Sequence, residues 1–150
     1  MADQFVPSVG PVLPASIPGA GLFGQIVNFG IPQVIPDSVP TTVLMTVGSS
    51  SGVTATPLTG RLTIVTSGTY KVTWGGQWDS VVAGFDKELR LHKNGAVIWA
   101  QAFQETDVGS WVEKTAVLDL LTGDIITAVA FQNSGINVDL SIAQLLVNSI

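Results

Sequence analysis

The chain has 150 residues, room for one domain, and only 11% of them are charged, against roughly 25% in an ordinary globular protein. Six Lys and Arg against eleven Asp and Glu give a formal net charge of -5, which argues against the clustered basic groove that a nucleic acid needs. One His and no Cys exclude disulfides, thiolate chemistry and a Cys/His zinc site.

Residues 1 to 40 are predicted to form an extended arm. Seven of the eight prolines fall there, with Asp3 and Asp37 as its only charges, and no Lys or Arg precedes Arg61. Prolines at 7, 11, 14 and 18 fix φ and remove amide donors, which disfavours both a helix and a central strand. Disordered linkers are ordinarily polar, yet this stretch carries Phe5, Val9, Leu13, Ile17, Leu22, Phe23, Ile26 and Phe29. At about 25 cal/mol per Å² of apolar area, a handful of these contributes several kcal/mol once buried. They are expected to dock, either back on their own domain or on a neighbouring polypeptide. Residues 1 to 30 lack the basic n-region and unbroken apolar core of a secretion signal. With no apolar run of about 18 residues, membrane insertion is not expected.

From residue 41 the pattern changes to short strands. "TTVLMTVG" (41–48) is strand-like, and "SSSGVTATP" reads as a loop. "RLTIVTSGTYKVTWGGQW" holds two alternating strands around Ser67-Gly68. In "KELRLHKNGAVIWAQAF", Leu89 and Leu91 share one face, Arg90 and His92 the other, and Asn94-Gly95 marks a hairpin because both residues tolerate positive φ. "SWVEKTAVLDL", the turn "LTGD", "IITAVAFQ" and "INVDLSIAQLLV" follow. About eight to ten strands with Gly-rich turns and no convincing helix predict an all-β antiparallel sandwich or barrel over 41–150.

Several stretches carry a family likeness. "GRLTIVTSGTYKVTW", "LRLHKNGAVI", "LDLLTGDIITAVAF" and the terminal "LSIAQLLV" resemble, in order and spacing, strands of the trimeric jelly-roll superfamily of the complement globular head and tumour necrosis factor. The likeness covers residues 56 to 147. It implies a jelly-roll sandwich, structural turns at Gly68, Asn94, Gly95, Gly123 and Asp124, and a homotrimer. The closing strand departs from the family at Ile142, Ala143 and Gln144, where an aromatic or glycine pair is usual. A jelly roll with an apolar leader in place of a stalk is also similar to bacteriophage virion proteins.

The closing strand supports a trimer independently. Leu140 and Ile142 lie on one face, and Leu145, Leu146 and Val147 are apolar on both, so the strand needs a second layer or a neighbour. A central strand of a monomeric sandwich satisfies the same pattern. The trimer interface is expected at Leu140, Ile142, Leu145 and Val147.

No constellation for catalysis emerges. Asp79, Asp86, Glu88, Glu105 and Asp107 read as a solvated acidic rim; two of them could flank Ca²⁺, but EF-hand spacing is absent. His92 faces outward with no assigned triad partner. No metal or cofactor is expected. Trp74 shares the parity of Tyr70 and Val72 and belongs in the core, whereas Trp78 follows "GGQ" and is the candidate surface contact. The resulting expectation is a non-enzymatic virion protein: a trimeric head decoration, head fibre or tail-associated protein, held on a phage capsid or tail protein by its arm. The alternative is a receptor- or glycan-binding tip of a phage fibre.

Overall fold

A computed structural model describes residues 21–79, 86–103 and 111–150, with backbone alone for 30 and 101–103. Every strand pairing is antiparallel. The strands are β1 (Phe23–Ile35), β2 (Thr41–Thr42), β3 (Val47–Ser51), β4 (Val53–Thr56), β5 (Arg61–Ile64), β6 (Gly68–Trp78), β7 (Lys87–Lys93), β8 (Ala96–Phe103), β9 (Trp111–Leu120), β10 (Ile125–Gln132) and β11 (Val138–Ser149). They form two packed sheets. The first has the order β3-β1-β11-β6-β9; the second has β4-β5-β10-β7-β8, with β2 added on β10. This is an antiparallel jelly-roll sandwich.

Period-2 alternation assigns the faces. On β6, Tyr70, Val72 and Trp74 point inward and are fully buried. They meet Leu89 and Leu91 of β7, Leu62 and Ile64 of β5, and Ile126 of β10 in one core. Burying a Trp or Leu here contributes about 1.5–3 kcal/mol each. The Tyr70 hydroxyl donates to the Thr66 carbonyl at 2.5 Å, so its polar end is satisfied, and burial raises its pKa.

The arm predicted over 1–40 does not extend to residue 40. Residues 23–35 are β1, hydrogen-bonded to β11 on one side and to β3 on the other. Ile26 is fully buried, Leu22 is partly buried against the core, and Phe23 and Phe29 stand on the outer face. Pro32 is accommodated because the register slips between Phe29 and Gln33; an irregularity of this kind relieves the ladder of a residue that cannot donate. The Asn28 side-chain amide donates to the Ile31 carbonyl at 2.7 Å and steadies the slip. Phe5, Val9, Leu13 and Ile17 lie outside the described residues.

Two further expectations change. The single strand predicted at 41–48 is split into β2 and β3. The loop predicted at 49–57 instead holds the end of β3 and all of β4, which lie in different sheets and are joined through Gly52, at φ 69°, followed by a 3-10 turn over Pro57–Thr59.

Candidate interaction surfaces

The four trimer-interface residues face differently from expectation. Leu140, Leu145 and Val147 are at most 1% exposed and fill the protomer's own core; Ile142 is half-buried on the outer side. A slip between Leu140 and Ile142 in the β11–β6 pairing puts these two residues on opposite faces, although they are two apart. Three of the four are therefore satisfied within one chain and cannot form a seam.

The outer face of the first sheet nonetheless carries one mostly apolar row. Phe29, Ile142, Gln77 and Trp111 stand opposite one another in one row across β1, β11, β6 and β9. The row formed by Val47, Val27, Gln144, Gly75 and Glu113 runs beside it. Phe29 is 65% exposed and Trp111 42%. Trp111 lies over Gly75: a Cβ there would meet the indole at 2.8 Å and the Val112 carbonyl at 2.8 Å. The glycine makes a flat platform and the indole presents its other side outward. The Gln144 amide donates to the Glu113 carboxylate at 2.6 Å, so a polar group on this face is already partnered.

At one end of the sandwich, β8 pairs only with β7 and β9 only with β6. Along β8, Val97, Ile98 and Trp99 are all exposed. Trp99 meets the buried Trp74 edge-on, with ring centroids 6.3 Å apart and planes at 72°, a favourable aromatic geometry. An uncharged apolar edge strand is a template for contact with another chain.

Trp78, the expected surface contact, is fully buried. The Lys87 ammonium sits 5.5 Å from its ring centroid, a cation–π distance. "GGQW" reads as a loop because of its glycines, but β6 continues through them: Gly75 clears space for Trp111, and at Gly76 a Cβ would approach Leu140 to 3.0 Å. The exposed indoles, Trp99 and Trp111, were missed. The signal for Trp111 was its shared parity with Glu113, Thr115 and Asp119.

The turn residues join the β7–β8 hairpin to the crossing from β9 of the first sheet to β10 of the second. Asn94 and Gly95 have φ of 53° and 83°, and Gly123 has φ of 91°. The buried Asp124 carboxylate accepts from the Leu121 amide at 2.8 Å and from the Asn94 side chain at 2.8 Å, and pairs with Lys93 at 2.9 Å. The Asn94 side-chain Oδ1 accepts from the Ile125 amide at 2.8 Å. The Leu121 amide first, with Lys93 and Asn94, holds the Asp124 carboxyl at about 2, below its ordinary 3.8, against burial acting the other way. Gly68 is not among the positive-φ glycines; it begins β6 opposite Leu120.

His92 lies on the outer face of the second sheet, in a cleft of about 600 Å³ with Arg61, Thr127 and Asn94. Desolvation, then the charge of Arg90, lowers its pKa; a backbone hydrogen bond with Gly95 opposes them. Its Nε2 is buried without a hydrogen-bond partner. Of the acidic rim, Glu88 is paired with Arg90 at 2.6 Å, and Glu105 and Asp107 lie outside the described residues. Among the described residues no group of three or more His, Cys, Asp and Glu is placed to hold a metal.

No family model matches the chain, and no curated protein does. Solved structures do. The globular domain of zebrafish complement 1qA protein superposes with a TM-score of 0.59 at 14% identity, over 84% of this chain and 94% of that one. Murine APRIL gives 0.57 at 16%, over 84% and 98%, and rabbit GITRL gives 0.52 at 15%, over 85% and 94%. At such identities the likeness is one of fold. The domain is a jelly-roll sandwich.

These likenesses overturn the bacteriophage setting. The matched structures are vertebrate complement, APRIL and GITRL proteins, not virion components. The head-decoration, head-fibre and fibre-tip roles, the phage capsid or tail partner and the virion location fall with it. The physical reason is plain: an apolar Pro-rich leader favours burial against protein, and nothing in its chemistry selects a virus shell.

Proposed function

We propose that the protein is a non-enzymatic recognition domain that works as a homotrimer. In this reading the outer face of the first sheet of one protomer packs on the open β8–β9 edge of the next. The observation that carries it is the row of Phe29, Ile142, Gln77 and Trp111, with two large side chains exposed beside an uncharged edge that displays Ile98 and Trp99. An apolar face and an apolar edge of one molecule are complementary, and repetition of that heterologous contact closes a ring. Aromatic anchors supply most of the energy at such contacts. Fold resemblance to the complement 1qA globular domain and APRIL supports the same assembly by analogy.

The leader belongs to this reading. Residues 1–20, with Phe5, Val9, Leu13 and Ile17, act as an extended docking segment that covers apolar surface of a neighbouring subunit. A groove of about 370 Å³ edged by Ile31, Val34, Leu44 and Leu58 offers matching chemistry. Sedimentation of the full chain tests the assembly: a mass three times the 15.6 kDa protomer supports it, and a monomer at micromolar concentration rejects it. Removal of residues 1–20 is expected to leave the sandwich folded and to weaken the trimer.

A further inference from the structure

The first sheet ends in a strand whose outer edge is bare. Among the described residues β3 bonds along its length only to β1, and all five of its residues are exposed. The direction of its main-chain groups follows from β1. The Leu22 carbonyl accepts from the Ser149 amide of β11, and the Val27 carbonyl from the Thr46 amide just before β3. Hydrogen-bonding direction alternates along a strand, so the even positions of this part of β1 face β11 and the odd ones face β3. Phe23, Gln25 and Val27 stand opposite Ser51, Ser49 and Val47, and these odd residues exchange bonds. Gly48 and Ser50 therefore turn N–H and C=O the other way, to the open edge. Sheets guard such an edge with charge, Pro or a bulge; Val47–Ser51 has neither charge nor Pro.

The leader holds a segment suited to pairing on one side only. Pro7 and Pro11 are both odd, and 5–13 contains no other proline. An extended chain over 5–13 keeps the donors of Val6, Ser8, Gly10 and Val12 on one side and places both missing donors on the other, where an edge strand faces solvent. Val6 and Gly10 each precede a proline, which biases them to extended backbone. Pro14 breaks the parity and ends the segment. Residues directly opposite in a sheet share a face, so Val6, Ser8, Gly10 and Val12 would lie on the inner side with Gly48 and Ser50. Space there is short: a Cβ on Gly48 would meet the Pro57 ring at 2.7 Å, which suits Ser8 and Gly10. Phe5, Val9 and Leu13 would extend the outer row of Val47 and Val27.

We propose that β3 accepts residues 5–13 from the leader of a second copy as an added antiparallel strand, bonded through the open groups of Gly48 and Ser50. This rests on the reading that the leader docks on a neighbouring subunit, and it supplies the mode: main-chain pairing in a fixed parity, with apolar side chains as anchors. Every pairing in the sandwich is antiparallel. Within one chain that entry would run parallel to β1 and need a crossover of about a dozen residues, more than the nine of 14–22. A second copy is free of that limit, and its 14–22 can reach about 30 Å. The Leu13 end of the segment then lies beside the start of β3, where the groove of Leu44, Met45 and Thr46 begins.

Amide hydrogen exchange of the full-length chain reads these bonds directly. Gly48 and Ser50 are expected to exchange about tenfold more slowly in the unsubstituted chain than in Gly10→Pro, which removes a donor on the pairing side. Val9→Pro, which removes a donor on the solvent side, is expected to leave them protected. The Val47, Ser49 and Ser51 amides, bonded to β1, stay protected in all three chains and report that β3 is folded. The protein has no Cys, so paired substitutions identify the copy. Val9→Cys is co-expressed with a second chain carrying Val47→Cys, Ser49→Cys or Ser51→Cys; one of the three pairings is expected to form a disulfide between chains, and Ser50→Cys, on the opposite face, is not. Gly48 and Ser50 amides that exchange as fast as in Gly10→Pro, equal effects of Gly10→Pro and Val9→Pro, or no link between chains overturn the added strand. Sedimentation of the unsubstituted chain keeps the two readings apart: a trimer with any of those outcomes leaves the assembly standing without the added strand, and a monomer removes both.

Discussion

The two outer faces of the sandwich are built by the same pleat and carry opposite chemistry. On the first sheet, the row Phe29, Ile142, Gln77 and Trp111 is broad, flat and mostly apolar. On the second, the row Arg61, Thr127 and His92 is polar and flanked by the 42–44 segment, which pairs with β10. The difference teaches where a protein with few charges uses them. Four of its six Lys and Arg residues, Arg61, Lys87, Arg90 and Lys93, lie along β5 and β7 of the second sheet, leaving long stretches of the first sheet and the β8 edge to apolar side chains. A face depleted of charge loses little solvation when another protein covers it.

Both faces rest on one core, so the largest effect removes both. Trp74→Ala is expected to destabilise the fold by about 3–5 kcal/mol, read by chemical denaturation, because the buried indole packs between the sheets and supports Trp99 at the open end. A loss below about 1 kcal/mol would mean that the two sheets are held together elsewhere.

Breaking one face alone is the sharper experiment. Phe29→Asp changes a side chain that is 65% exposed, so the isolated protomer is expected to keep its stability within about 0.5 kcal/mol. Placing a charge on the apolar row is expected to weaken self-association by about 2 kcal/mol or more, measured by sedimentation at graded concentrations. If the oligomer is unchanged, the face lies outside the contact.

Acid titration addresses the end of the second sheet. The Asp124 carboxyl is held at about 2 in the folded chain, below its ordinary 3.8, so between these values the unfolded chain binds the proton first. Its contribution is fully present above about pH 4 and is lost as pH falls through about 2, amounting to about 1–2 kcal/mol after solvent screening is allowed for. Asp124→Asn is expected to flatten that part of the stability–pH curve. An unchanged acid limb would show that Asp124 does not tie the β9–β10 turn to the β7–β8 hairpin.

The smallest effect is expected at Arg61. Arg61→Gln is predicted to change unfolding free energy by no more than about 0.5 kcal/mol, because the side chain is exposed and has no ion pair among the described residues. A larger loss would make it part of the scaffold.

Alternation along the chain by itself determined much of the architecture. Tyr70, Val72 and Trp74 against Lys71 and Thr73, and Leu89 and Leu91 against Arg90 and His92, assigned inward and outward faces that the sandwich retains. Asn94-Gly95 marked a hairpin and Gly123-Asp124 a turn, because positive φ is a local property of the backbone. Tertiary structure alone decided which residues meet. The proline-punctuated leader hid the strand at 23–35; β1 exists because β11 and β3 supply its hydrogen bonds, with a slip near Pro32. Trp78 was indistinguishable from a loop residue until β6 was seen to run through its glycines. A one-residue slip separates Leu140 from Ile142 and consumes the supposed seam in the core. The row of Arg61, Thr127 and His92 joins positions far apart in sequence through strand register, a long-range pairing that no local pattern encodes.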